Sequence, residues 1–134
     1  MQMRHAVLVS TLVGLAGGAV GAAMWKDAAY KREAYPHGVM AVLGAQMASL
    51  DKSVKANRCT TSDVLPRFQT LRAVANDIEP AFGEDDERFA QHAGSLRAAA
   101  DAAMATPPAS CQAAAATLDR IGETCSGCHR DFKD

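Results

Sequence analysis

From residue 40 onward the apolar positions of this chain recur at intervals of three and four. Met40, Leu43, Met47, Leu50 and Val54 form a first stripe, and Val64, Phe68, Leu71, Ala75 and Ile78 a second. A third follows in Phe89, Ala93, Leu96, Ala100 and Ala103, and a fourth in Ala114, Leu118, Ile121, Cys125, Cys128 and Phe132. Such spacing keeps each set on one side of an α-helix. Breaks are predicted at Asn57 to Ser62, at Pro80 to Gly83 and at Thr106-Pro107-Pro108. Ser62 or Thr61 is placed to cap the second helix, with Pro66 near its first turn, where a missing N–H costs little. Glu84-Asp85-Asp86-Glu87 opens the third helix and suits the positive end of its dipole, or is simply a solvated acidic turn. Pro36 is expected at the start of the first bundle helix or at a kink, because inside a helix it removes the hydrogen bond to Arg32. Four helices of about twenty residues with short connections predict an all-α, up-down-up-down four-helix bundle.

Composition agrees. Alanine is abundant, aromatic residues make up 5%, and runs of β-branched residues that would mark strands are few. A formal charge of −1, with no basic tract interleaved with aromatics, gives no case for nucleic-acid binding. The 134 residues allow one compact domain, assigned to 26–134, after an N-terminal segment 1–25 of different character. In that segment Ala6 to Met24 is uncharged and is followed by Trp25 and Lys26. Its nineteen residues nearly match the ~20 that span a bilayer, which favours a retained membrane anchor. The small residues Val20-Gly21-Ala22 favour instead a signal segment cleaved near Ala22. Either way the bulk of the chain is expected outside the cytoplasm, where disulfides persist.

The chemistry concentrates at the C-terminus, in Cys125-Ser126-Gly127-Cys128-His129. A structural zinc site needs four ligands, and no second C-x-x-C or paired histidines supply the others. A redox dithiol belongs at the start of a helix in a βαβ setting, whereas this pair falls near the end of a helix in an all-α chain. C-x-x-C-H is also the attachment signature of haem c. At ~100° per residue, Cys128 and His129 lie within about 60° of Cys125 on either side. Two thioethers from Cys125 and Cys128 would hold the porphyrin edge while His129 reaches the iron as proximal ligand.

A C-x-x-C-H motif on the last helix of a four-helix bundle, followed by Phe132-Lys133, resembles the class II c-type cytochromes, the cytochrome c-prime family. The resemblance spans roughly residues 35–134. It implies a sixth-ligand position on the first helix, where Tyr35-Pro36-His37-Gly38-Val39-Met40 matches the family pattern, with Gly44, Met47 and Leu50 following at family-like spacing. Met40 falls on the ligand position, as in the low-spin members with His/Met ligation. Pro36 stands where the family usually has an arginine near the haem. A vacant apolar sixth site, with Met40 in the core, or ligation by His37 are the alternatives. His92 flanks the third stripe as a boundary residue; Met47, Met104 and Phe68 read as core. Gly38 and Gly44 allow close approach of a helix or of the porphyrin.

With Cys125 and Cys128 committed to haem, only Cys59 and Cys111 remain to pair. In an up-down bundle the first and third connections share one end, so a Cys59–Cys111 disulfide is reasonable there. Counting away from it, Met40 lies 19 residues from Cys59 and His129 lies 18 from Cys111. Both distances run roughly 27 to 29 Å along a helix, so the two side chains come out level.

These expectations describe an electron carrier rather than an enzyme: a periplasmic monohaem c-type cytochrome with low-spin His129/Met40 iron. It would be tethered to the inner membrane by segment 1–25, or soluble after cleavage, and would act as a monomer or a homodimer. Its partners would be other cytochromes or a membrane electron-transfer complex, with Arg130, Lys133 and the run Glu84 to Glu87 near the haem edge. The rivals are a five-coordinate haem that binds NO or CO, and a haem subunit of a membrane complex.

Overall fold

The computed structural model describes the backbone of residues 2–133 and, among these, the side chains of 18, 20–30 and 32–133. Among the described residues the chain is helical, with no strand. Helix α1 runs from Gln2 to Lys55, α2 from Thr61 to Val74, α3 from Ile78 to Phe82, α4 from Glu87 to Ala105 and α5 from Cys111 to Phe132. A 3-10 turn, Ala75–Asp77, joins α2 to α3, so this stretch acts as one bent helical arm and the chain has four long helical segments.

Two compact units divide the chain, Met1–Tyr35 and Pro36–Asp134. In the first, Met24, Trp25 and Tyr30 are exposed. Among the described residues no helix is long and apolar enough to cross a membrane. The anchor or signal expected over 1–25 falls largely on residues 1–17, whose side chains lie outside those described.

The second unit holds the bundle. Its element directions follow from which side chains meet. Arg72 of α2 pairs with Asp101 of α4 at 2.7 Å, while Arg97, one turn earlier on α4, reaches Glu79 of α3 at 2.6 Å. Pairing that advances on one helix as it retreats on the other is antiparallel. The same holds for α4 and α5, where Phe89 meets Phe132 and His92 meets Asp131 near the end of α5. The core is the set of stripes turned inward: Leu43, Leu50, Val64, Phe68, Leu71, Ala75, Ile78, Phe89, Ala93, Leu96, Ala100, Ala103, Ala114 and Ile121 are all buried. Each fully buried large aliphatic or aromatic side chain contributes about 1.5–3 kcal/mol.

The helix ends show local chemistry. Thr60, not Thr61 or Ser62, is the N-cap of α2, and its N–H and hydroxyl both donate to the Asp63 carboxylate, which holds that carboxyl below its ordinary value. Asp86 caps α4 by accepting from the Arg88 N–H at 2.8 Å, and Ser110 caps α5 by accepting from the Ala113 N–H at 3.1 Å. Besides Pro66 in α2, two prolines sit inside helices. Pro36 lies within α1, where the two compact units divide. Pro80 falls in the first turn of α3, where its missing N–H has no helical partner to lose, because the 3-10 turn has restarted the helix just before it. The arm ends instead at Gly83, whose φ of 60° is the left-handed conformation that glycine adopts without strain.

Candidate functional site

Cys59 precedes α2 and Cys111 opens α5, and their sulfurs are joined across one end of the bundle, with Cα atoms 5.1 Å apart. Toward the other end the helices separate around a cavity of about 360 Å³. Met40, Leu43, Gly44 and Met47 of α1 line it, facing Gly122, Cys125, Cys128 and His129 of α5. Leu71 and Ile78 come from the α2–α3 arm, and His92, Ala93 and Leu96 from α4. Four of the residues singled out by the sequence, Cys125, Cys128, His129 and Met40, thus surround one space, and the other two, Cys59 and Cys111, tie the end opposite. His37 is exposed and does not line the cavity. Met47, expected as plain core, is a wall of the cavity as well as a neighbour of the core.

Helical periodicity places the cysteines. Ile121 and Cys125 are one turn apart on the buried side of α5, and Cys128 continues the line. Both thiols are partly buried and are not joined in a disulfide. Burial pushes the Cys125 thiol up; burial, then the neighbouring Cys125 and Asp131, push Cys128 up. Neither thiol is drawn toward the thiolate form that an activated dithiol needs. Among the described residues no group of three or more His, Cys, Asp or Glu side chains is placed to hold a metal ion by itself. His129 is exposed at the mouth of the cavity and, among the described residues, makes no hydrogen bond or ion pair with another side chain.

The glycines of the walls carry the most information about what the cavity accommodates. A Cβ built on Gly44 or on Gly122 meets no atom within 4 Å. Packing within the protein therefore does not require glycine at either place, although each costs about 1 kcal/mol in a helix relative to alanine. The two face the same space from opposite helices, so what they leave is room for a group inserted between α1 and α5. A flat, largely apolar prosthetic group attached through two thiols, with an imidazole beside them and a thioether on the facing helix, fits these residues.

Sequence reasoning overlooked three residues here. His92, read as a boundary residue, lines the cavity and its Nε2 lies 3.0 Å from Asp131 Oδ2. Gly127, inside the C-x-x-C-H run, lies against the His92 ring. Gly122 is the third. The available signal was the pair of helix-interior glycines in a segment with no need of flexibility. A second, polar groove adjoins the cavity between α1 and α5, sharing Met47, Gly122 and Ser126 with it and bordered by Asp51, Asp119, Glu123 and Arg130. Compared with known proteins, the chain matches no family model, no curated protein and no solved structure.

Proposed function

We propose that this chain is a monohaem c-type cytochrome of the class II kind and that it carries single electrons. Cys125 and Cys128 would hold the haem through thioether bonds, His129 would be the proximal ligand, and Met40 the sixth. A haem c bound there supplies a one-electron iron couple, whose potential a methionine ligand raises. The observation that carries the proposal is the glycine-walled cavity that takes both thiols and the imidazole from α5 and the Met40 sulfur from α1.

The chain's own residues perform three tasks in this account. The two thiols, partly buried on one face of α5, would fix the group to the protein. Leu43, Leu71, Ile78 and Leu96 exclude water from the cavity, so that little reorganises when charge changes there. His129 leaves the mouth open, which offers an edge for brief docking of a redox partner, and transient complexes of that kind bury small interfaces. The Cys59–Cys111 disulfide favours an oxidising compartment, in keeping with a periplasmic chain tethered through residues 1–25 or freed by cleavage near Ala22.

The test is the absorption spectrum of the reduced protein with and without CO. With His129 and Met40 both bound, the spectrum is low-spin and CO leaves it unchanged on the mixing time scale; Met40→Ala converts it into one that CO shifts completely. Rapid and complete conversion of the unmodified protein by CO would replace the carrier with a five-coordinate, gas-binding haem.

A further inference from the structure

The last turn of α5, which bears His129, is held by contacts concentrated on one neighbour, α4. His92 Nε2 and Asp131 Oδ2 are 3.0 Å apart, with the His92 side chain only 25% exposed. The same imidazole stands edge-on to Phe132, ring centres 6.0 Å apart, and Phe132 in turn stands edge-on to Phe89 at 5.2 Å. Arg88 lies over the Phe132 ring, 5.5 Å from its centre. Gly127 completes the fit. A Cβ there would lie 3.4 Å from His92 Cε1 and 3.6 Å from Nδ1, so any longer side chain would compete with the ring for its space. The absence of a long side chain between the two cysteines leaves the His92 ring room to lie against this turn.

Resting on the haem assignment above, we propose that His92 is a positioning residue: seated on Gly127 and hydrogen-bonded to Asp131, it fixes the turn of α5 that presents Cys128 and His129 to the cavity. The bond ties a point two residues beyond His129 to α4, and the ring covers a point two residues before it. His129, exposed and without a side-chain partner among the described residues, has its direction set by the backbone of this turn, and the backbone is set by the clasp. The aromatic contacts alone leave the turn free to rotate about its axis, because a centroid contact constrains distance more than angle, whereas a hydrogen bond constrains both.

Two measurements on His92→Ala and His92→Gln test this. In the haem-free chain, amide hydrogen exchange of residues 128–132 should rise about tenfold in His92→Ala, the scale of one lost hydrogen bond, while residues 114–121 stay as they were. In the haem-loaded protein the same variant should shift the reduction potential. His92→Gln, whose amide can still donate to Asp131, should restore both. Unchanged exchange in His92→Ala overturns the clasp, and a failure of His92→Gln to restore either quantity assigns the effect to ring packing instead of the hydrogen bond. A chain that never binds haem would leave the exchange result standing while removing the assignment on which the potential depends.

Discussion

The two ends of the bundle are built on opposite plans. At the Cys59–Cys111 end, Leu50, Val64, Ala103 and Ala114 close the space between the helices, and a covalent bond joins the connection before α2 to the start of α5. At the other end glycines, thiols and methionines line an opening, and polar contacts gather at its rim. The first end gives the chain its stability and leaves no room for chemistry. The second gives up packing to make room, and its remaining order depends on the clasp between α4 and α5 and on the arm α2–α3. Damage at the two ends should therefore separate cleanly, stability failing at one and cofactor chemistry at the other.

The largest separation is expected from the cysteines themselves. Replacing Cys125 and Cys128 together by serine should abolish covalent haem altogether, read as loss of haem absorbance from the denatured protein, while the disulfide end stays folded. Replacing Cys59 and Cys111 together by serine should do the reverse. The bridge closes a loop of 52 residues, worth about 4 kcal/mol in the chain-entropy account, so the midpoint of urea unfolding should fall sharply while haem is still attached.

The glycines sharpen the comparison further. Gly44→Ala and Gly122→Ala should each stabilise the haem-free chain by about 0.5–1 kcal/mol, because a Cβ meets nothing there and alanine is the better helix former. In the haem-loaded protein the gain should vanish or reverse. If both forms gain equally, the space beside these glycines is not where the group inserts.

The smallest effect belongs to the arm. Arg97 donates to both oxygens of Glu79 at 2.6 and 2.8 Å and also to the Ala75 carbonyl at 3.3 Å, which holds the Glu79 carboxyl below its ordinary value. Glu79→Gln should cost about 0.5 kcal/mol at neutral pH, as for a partly exposed pair of good geometry. A carboxyl lowered in the folded state contributes stability that is fully present above its unfolded value of 4.5 and is lost as pH falls through the lowered one. The gap between wild type and variant, followed by urea titration, should close in that acid range.

Much of this was legible in the sequence because periodicity reports burial directly. The four stripes supply nearly the whole core, and the connections fall where Asn57, Gly83 and Pro107 interrupt them. What was not legible depends on contacts between distant segments. Thr117 is buried although polar, because its hydroxyl donates to the Ala113 carbonyl at 2.9 Å and so leaves nothing unsatisfied. His92 stands next to the buried Ala93, and only the crossing of α5 decides that its ring faces Gly127 and Asp131 rather than solvent. Pro80 looked like a stop because the 3-10 turn that restarts the helix before it leaves no compositional mark.

The central claim is that Cys125 and Cys128 carry a haem in the cavity between α1 and α5. It is tested most directly by the intact mass of the protein, produced with a c-type haem maturation system and measured under denaturing, reducing conditions. The account predicts the chain plus one haem, with the added mass retained on the peptide that contains Cys125 to His129. A chain of unmodified mass with two freely alkylated thiols at Cys125 and Cys128 would contradict it.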